Sequence, residues 1–226
     1  MTTQKPRVLV LATPQGEVKG NAGFYSNIRR RNPNPSAPMI TGLLKTSFRE
    51  AGVDAEVTQV DARSDKFGEV KERVYAKFRA PYIDEELTKY YYGISPAAIE
   101  GLVRNSDIIC FTSHFTGSSG VVKMFIREAK RMNPNAEVWI GGNDVPGPRQ
   151  DSYRAAGADR FWVGDVFRSL PAYIHERWGG TVKSCSLDVD HKRRGTYMLP
   201  IPSYMGDIVY LTKFSDCAEG PYPGRD

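Results

Sequence analysis

Short apolar runs, separated by longer polar segments, set the pattern of this chain. Uninterrupted apolar runs of about four to eight residues are typical of strands that are buried on both faces of a sheet. The pattern therefore predicts five strands, over Arg7–Ala12, Ala55–Val60, Asp107–Phe111, Ala136–Ile140 and Arg160–Val163.

Between these runs, apolar residues recur at the spacing of one helix face. The first clear helix is predicted over Pro38–Ala51, and Gly52 is a good stop for it. A second helix is predicted to be capped by Ser118 or Ser119 and to end at Asn133-Pro134. Shorter helices are predicted over Ser95–Arg104, Arg149–Ala156 and Phe167–Trp178.

The alternation of strands and helices predicts the fold class. Strands that alternate with helices form βαβ units, and their right-handed crossovers give a parallel sheet with helices on both faces. We therefore expect an α/β protein with a five-stranded parallel sheet, doubly wound in the Rossmann-like or flavodoxin-like manner, and an irregular C-terminal extension.

Three segments lie outside this alternation. Residues 13–38 are polar and rich in Gly, Asn and Pro, which predicts a long loop. Residues 61–94 are charged and aromatic, and we interpret them as an inserted helix or helical hairpin. Residues 181–226 read as an extension or linker with one strand at Ile208–Leu211, so the predicted domain spans residues 1–180.

Composition narrows the class of protein. The chain has 226 residues, of which 40% are hydrophobic and 25% charged, as in ordinary globular proteins. No stretch has the roughly 18 to 20 consecutive apolar residues that a membrane helix needs. The polar N-terminus lacks the apolar core of a signal peptide, so we expect a cytoplasmic protein without a membrane partner.

Charge and cysteine content exclude further classes. The formal net charge is +5, with basic patches at residues 29–31 and 191–194. No nucleic-acid recognition motif accompanies these patches, so we expect no nucleic-acid partner; solvated loops and a docking face for an anionic partner both remain open. The cysteines, Cys110, Cys185 and Cys217, form no CxxC pair, and we expect no iron–sulfur cluster in this chain.

The loops after the predicted strands offer the candidate chemistry. Ligands of such sheets bind outside the carboxyl ends of the strands, and these loops are rich in glycines and hydroxyls that suit close backbone approach and polar contacts. Turns and caps use the same residue types, which is the alternative interpretation. The candidate binding residues are Thr13, Pro14, Gln15, Gly16, Lys19, Ser113, His114, Phe115, Thr116, Gly117, Ser118, Gly141, Gly142, Asn143, Val145, Gly164, Asp165 and Val166.

Motif comparison restricts the ligand. The loop after the first strand has neither GxGxxG nor GxxxxGK[ST], so it lacks the usual dinucleotide and triphosphate loops. The loops richest in glycine and hydroxyls follow the third and fourth strands. We therefore expect a ligand with a long tail that lies across the middle of the sheet.

These loops carry a family resemblance. Ser113-His114-Phe115 after the third strand, followed by Gly141-Gly142 after the fourth, resembles the cobalamin (vitamin B12)-binding domain. The form at the N-terminus of B12-dependent radical SAM enzymes is similar in more detail, because residues 7–14 match its RVLVL-x-x-P strand and the second strand ends at Asp61. Residues 164–167 match its Gly-Glu-Gly-Glu element only weakly, because they read Gly-Asp-Val-Phe. The resemblance covers about residues 5–178.

Two departures qualify the resemblance. Lys19 stands where B12 domains with a histidine lower ligand carry that histidine, and a protonated lysine cannot ligate cobalt. The CxxxCxxC motif of radical SAM enzymes is absent, and Cys217 stands alone. The metal ligand is therefore open, and His114 is the only nearby imidazole candidate.

The resemblance implies a metal-binding protein that holds cobalamin, or methylcobalamin, with its base displaced and no histidine on cobalt. It would be the B12 domain of a truncated or split radical SAM methyltransferase, with a separate or missing radical SAM domain as partner. A free-standing cobalamin carrier or sensor is the first alternative. An unrelated flavodoxin-like domain that binds a nucleotide is the second. The substrate, the axial ligands and the oligomeric state stay open.

Overall fold

The computed structural model describes residues 5–14, 16–19, 36–79, 86–113, 118–145, 147–164 and 166–179, and for residues 17–19 the backbone alone. The strands are β1 Arg7–Ala12, β2 Gly16–Lys19, β3 Glu56–Asp61, β4 Lys71–Arg79, β5 Glu86–Gly93, β6 Ile108–Thr112, β7 Glu137–Gly141 and β8 Arg160–Trp162. The helices are α1 Ser36–Glu50, α2 Glu100–Arg104, α3 Ser119–Met132, α4 Arg149–Arg154 and α5 Val166–Trp178.

The main sheet has five strands in the order β3-β1-β6-β7-β8. β6 is parallel to β1 with Val8 opposite Ile108, and β7 continues the ladder with Ile108 opposite Glu137. The chain first adds β3 on one side of β1 and then adds β6, β7 and β8 on the other, which is the flavodoxin-like order with its switch point between β1 and β6. The predicted five-stranded parallel sheet with flanking helices is confirmed.

Burial explains why these runs form strands. Every residue of β6 is buried, and so is every residue of β1 after Arg7. The predicted apolar face of α3 is also observed, since Val121, Val122, Phe125, Ile126, Ala129 and Met132 are all buried. At about 1.5 to 3 kcal/mol for each fully buried large apolar side chain, this face of α3 contributes much of the stability of the core.

The prediction for residues 61–94 is wrong. Instead of an inserted helix or helical hairpin, the chain forms the antiparallel strands β4 and β5, which join β2 in a three-stranded sheet of order β2-β5-β4. β2 also lies in the segment predicted as a long loop over residues 13–38. The pairing register shifts between Val74 and Ala76, so the bulge breaks the alternation of β4 and gives its apolar residues a helix-like spacing.

The three-stranded sheet is attached at the carboxyl edge of the main sheet. The Ile94 N–H donates to the Ala62 carbonyl, and the Ala62 N–H donates to the Ala12 carbonyl at the end of β1. A Cβ on Gly93 would lie 2.6 Å from the Ala62 carbonyl oxygen, which explains a glycine at the end of β5. The second sheet is therefore connected to the main sheet at the edge where ligands of such folds bind.

Aromatic packing fixes the second sheet against α3. The Tyr91 ring lies edge-on to the Phe125 ring at 5.8 Å between centroids, and the Tyr75 ring lies 6.2 Å from the Tyr91 ring. Tyr90 and Tyr91 are buried, so these two tyrosines serve packing.

The chain divides into two compact units. One contains the helices α1 and α5, in which the Phe48 ring lies edge-on to the Trp178 ring at 5.3 Å. The other contains all strands except the first residues of β3, together with α2, α3 and α4. The predicted domain of residues 1–180 stays a prediction, and the predicted strand at Ile208–Leu211 lies outside the described residues.

The ion pair between Arg7 and Asp107 predicts a pH dependence of stability. Burial raises the pKa of the Asp107 carboxyl, but the hydrogen bonds and charge of Arg7 outweigh it and hold the pKa below its usual value. Because the folded pKa is depressed, the pair stabilises the fold above the unfolded pKa of about 4. This contribution is lost as the pH falls through the lower folded pKa.

Asp107→Asn should lower the free energy of unfolding at pH 7 by about 0.5–1 kcal/mol, a range set by the partial exposure of the pair. Urea denaturation should show this gap closing near pH 3. Asp54→Asn, at an exposed carboxylate paired with Lys5, is the control and should change little at either pH. A gap for Asp107→Asn that is equal at both pH values would contradict the assignment.

Candidate functional site

The loops that follow β6 and β7 are joined by their backbones. The Ser113 N–H donates to the Gly141 carbonyl at 2.8 Å, and the Asp144 N–H donates to the Ser113 carbonyl at 3.2 Å. The Val145 N–H then closes the second loop on the Gly142 carbonyl at 3.1 Å. Two of the predicted site motifs, at Ser113 and at Gly141-Gly142, therefore meet at one place on the carboxyl edge of the sheet.

Gly142 is required by this junction. Its φ of 120° lies in the region that favours glycine, and a Cβ there would overlap the Ser113 carbonyl. A Cβ on Gly141 would instead lie 3.2 Å from the Trp162 Cβ, toward β8. Contacts within the fold thus account for Gly142 before any ligand is considered.

A buried hydrogen-bond network lies behind the junction. The Tyr153 hydroxyl of α4 donates to Asp144 Oδ2 at 2.6 Å, and it lies 2.9 Å from Ser113 Oγ. Since the phenol has a single proton, the Ser113 hydroxyl is the donor in that second bond. The side chain of Asp144 is fully buried, and its other oxygen is paired with the Arg149 guanidinium.

Electrostatics keep the Tyr153 phenol protonated. Burial raises the pKa of the Tyr153 phenol, and the bond to Ser113 and the charge of Arg149 only partly oppose it. The phenol therefore keeps its proton at neutral pH and donates it to Asp144. A buried carboxylate is costly unless it is paired and hydrogen-bonded, and Asp144 has both kinds of partner.

The sequence predictions missed Asp144, Tyr153 and Arg149. They included Asn143 and Val145 on either side of Asp144, because this loop after the strand is rich in glycine. The available signal was an acidic residue shortly after Gly-Gly and a tyrosine on the inner face of a short helix. Their bond joins two separate segments, and a linear pattern does not show such a pairing.

Thr13 and Ser118 lie at the carboxyl edge with 8% of each residue exposed. Ser118 precedes α3 as predicted, but its hydroxyl makes no capping bond. Within the described residues, neither hydroxyl has a hydrogen-bond partner. Each is therefore a polar group at this edge whose hydroxyl the described residues do not use.

The other predicted residues take different places. Pro14 packs near Gly93, and Gly16 pairs with Tyr91 in the second sheet, where the Lys19 backbone pairs with Thr88. In the main-sheet loops Asn143 is exposed and Val145 is buried. Gly164, with a φ of 82°, and Val166, which begins α5, belong to the unit of α1 and α5. Gln15, His114, Phe115, Thr116, Gly117 and Asp165 lie outside the described residues.

Other kinds of site find no support in the described part of the chain. Its residues contain no group of three or more His, Cys, Asp or Glu side chains able to hold a metal ion. None of its helices is long and apolar enough to span a membrane. Cys110 is buried in β6, and burial raises the pKa of its thiol far above the usual value, which leaves it unreactive.

Comparison with known proteins identifies no family for this chain. No family model matches the chain, and no curated protein matches it. Among solved structures, the chain is similar to a CheY-like protein (tadZ) from Pseudomonas aeruginosa PAO1, with a TM-score of 0.44 and 12% sequence identity. The match covers 80% of this chain and 98% of that one. The strand order itself makes this an α/β protein of flavodoxin-like fold.

The close approach of Gly142 and Ser113 predicts an unequal response to alanine at two glycines. Gly142 and Gly147 both have positive φ, but a Cβ on Gly147 would meet nothing within 4 Å. Gly142→Ala should therefore lower the free energy of unfolding by about 3 kcal/mol, from backbone strain and overlap together. Gly147→Ala should cost only the strain, about 1 kcal/mol. Urea denaturation measures the free energy of unfolding of both variants. Equal losses of stability would show that Gly142 does not approach Ser113 of the loop after β6.

Proposed function

We propose that this protein binds cobalamin at the carboxyl edge of β6 and β7. The supporting observation is the junction between the loops, where Ser113 and Gly141-Gly142 are joined by backbone hydrogen bonds. These are the two motifs that resemble the cobalamin-binding domain, and they come together at the edge where ligands of this fold bind.

The residues at this edge fit a polar ligand. Thr13 and Ser118 offer hydroxyls that are nearly buried, and Asn143 offers an exposed amide beside Gly142. Such groups match the amides of a corrin and the sugar of its nucleotide tail. Ser113 and Gly142 would not contact the cofactor through their side chains. The Ser113 hydroxyl is hydrogen-bonded to Tyr153, and the absence of a side chain on Gly142 leaves room for the Ser113 carbonyl. They shape the loops, while Thr13, Ser118 and Asn143 would contact the cofactor.

We infer base-off binding without a histidine on cobalt. In the resemblance, Lys19 stands at the position of the ligating histidine, and its backbone pairs with Thr88 in the second sheet. The lower face of cobalt would carry water or no ligand. His114 stays the candidate imidazole, and its place lies outside the described residues.

The proposed role is that of the B12 domain of a truncated or split radical SAM methyltransferase. Bound methylcobalamin would supply a transferable methyl group. This sequence has no CxxxCxxC motif, so the iron–sulfur cluster would belong to another domain or polypeptide. A free-standing carrier or sensor of cobalamin would use the same binding edge.

A flavodoxin-like domain that binds a nucleotide is the second candidate. The strand order favours it, because domains of this order bind flavin nucleotides at the same switch point. The chain lacks the glycine-rich phosphate motifs after β1, which weighs against a dinucleotide.

Titration of the purified protein with hydroxocobalamin distinguishes these candidates. We expect a saturable shift of the absorbance spectrum to the base-off form, and no quenching of flavin fluorescence on addition of flavin mononucleotide. Removal of both edge hydroxyls, in Thr13→Val/Ser118→Ala, should raise the Kd by about tenfold or more, since each hydrogen bond contributes about 1 kcal/mol.

Ser106→Ala is the matched control. Ser106 lies before β6, at the opposite end of the strand, where its hydroxyl donates to the Leu102 carbonyl. This variant should bind cobalamin as the wild type does. Absence of a spectral shift in the wild type would overturn the proposal. If Ser106→Ala weakened cobalamin binding as much as Thr13→Val/Ser118→Ala does, the binding site would not lie at this edge.

A further inference from the structure

The bulge in β4 sets the direction of the Tyr75 side chain. The pairing of β4 with β5 shifts between Val74 and Ala76, so Tyr75 has no residue opposite it in the ladder. The extra residue of a bulge takes a new direction, and bulges are frequent next to binding sites. The Tyr75 ring lies 6.2 Å from the Tyr91 ring, which in turn contacts the Phe125 ring of α3. The bulge therefore directs Tyr75 toward α3.

Gly120 leaves room for the Tyr75 phenol at the amino end of α3. A Cβ on Gly120 would lie 2.7 Å from the Tyr75 hydroxyl oxygen and 3.4 Å from the ring carbon that carries it. The phenol therefore occupies the space that a side chain at this position would fill. Gly120 is the second residue of α3, and Ser118 directly precedes the helix. The second sheet thus places a hydroxyl close to the end of the loop that follows β6.

The Tyr75 hydroxyl has no hydrogen-bond partner within the described residues. Tyrosine hydroxyls that are removed from water usually have one, as the hydroxyls of Tyr91 and Tyr153 do. Burial raises the pKa of the Tyr75 phenol, so the oxygen keeps its proton and is able to donate it. The packing of Tyr75 against Tyr91 uses the ring alone. The hydroxyl is therefore a polar group that the described fold does not use.

Ser118 offers a second hydroxyl at the same end of α3. Only 8% of the residue is exposed, and its hydroxyl makes no capping bond. Ser118 and Gly120 are two residues apart, which is about 3 Å along a helix axis. The two hydroxyls come from separate parts of the chain, because Ser118 ends the loop after β6 and Tyr75 belongs to the second sheet.

We propose that the Tyr75 hydroxyl donates a hydrogen bond to an acceptor oxygen of cobalamin at the amino end of α3, next to Ser118. This inference rests on the proposed function and adds to it a binding residue from the second sheet. Acceptor oxygens have two sources in cobalamin, which are the amides of the corrin and the phosphodiester of the nucleotide tail. Gly120 acts indirectly, because it leaves room for the phenol.

Removal of the Tyr75 oxygen tests the contact. Tyr75→Phe keeps the ring on Tyr91 and should raise the Kd for hydroxocobalamin, measured by calorimetric titration, about fivefold, the usual effect of one neutral hydrogen bond. The free energy of unfolding without ligand should not change, because the hydroxyl makes no hydrogen bond in the described fold. Tyr92→Phe is the matched control, since this neighbour of Tyr91 in β5 points to the other face of the second sheet. It should leave the Kd nearly unchanged.

A methyl group at Gly120 tests the same contact from α3. Gly120→Ala should displace the phenol and weaken cobalamin binding about fivefold as well. In a Tyr75→Phe background it should have little further effect, because the hydroxyl is already absent. Gly101→Ala is the matched control, since a Cβ on this exposed glycine of α2 would meet nothing within 4 Å. Effects of Tyr75→Phe and Gly120→Ala that simply add would contradict the assignment.

Parallel titration with cobinamide, which lacks the nucleotide tail, identifies the acceptor. If Tyr75→Phe weakens binding of hydroxocobalamin alone, the acceptor lies in the tail. If it weakens binding of both compounds, the acceptor is a corrin amide. Wild-type binding that Tyr75→Phe leaves unchanged would overturn the inference and leave the proposed function standing. Absence of cobalamin binding to the wild type would overturn both.

Discussion

The buried carboxylate of Asp144 holds the carboxyl edge of the main sheet in one arrangement. It accepts the Tyr153 hydroxyl and pairs with the Arg149 guanidinium, so α4 is tied to the loop after β7. The Tyr153 hydroxyl in turn accepts a hydrogen bond from the Ser113 hydroxyl, which ties α4 and the loop after β7 to the loop after β6. Loss of any partner would leave a buried polar group unsatisfied, at a cost of about 1–3 kcal/mol or more.

This constraint determines which groups are available to a ligand. The hydroxyl of Ser113 is used inside the fold, and Gly142 is needed for the approach to Ser113. The hydroxyls of Thr13 and Ser118 make no hydrogen bond within the described residues. They are therefore the groups that a ligand at this edge would contact. Under the proposed function, this fixed framework would preorganise the edge for its ligand, and preorganisation favours affinity.

The main sheet was predictable from the sequence because its central strands, β1, β6 and β7, are buried on both faces. β1 and β6 appear as uninterrupted apolar runs, and α3 shows its apolar face at the correct spacing. The second sheet was not predictable in the same way. The bulge in β4 near Tyr75 gives the segment a helix-like spacing, and the strand has a partly exposed face.

The candidate site was predictable only in part, for a related reason. Glycines and hydroxyls after strands mark an edge, and Ser113 and Gly142 do meet there. Inside the fold, the Ser113 hydroxyl bonds to Tyr153 and Gly142 leaves room for the Ser113 carbonyl, while their contact with a ligand stays a prediction. The Asp144–Tyr153 bond arises from tertiary placement across separate elements, which no local spacing encodes.

Hydrogen exchange at single backbone amides tests the central claim most directly. The amides of Ser113, Asp144 and Val145 make the bonds that join the two loops, whereas those of Asp107 and Glu137 lie at the opposite edge of the sheet. Saturating hydroxocobalamin should slow exchange at the first group and leave the second unchanged. Exchange at Ser113, Asp144 and Val145 that is the same with and without cobalamin would contradict cobalamin binding at this edge.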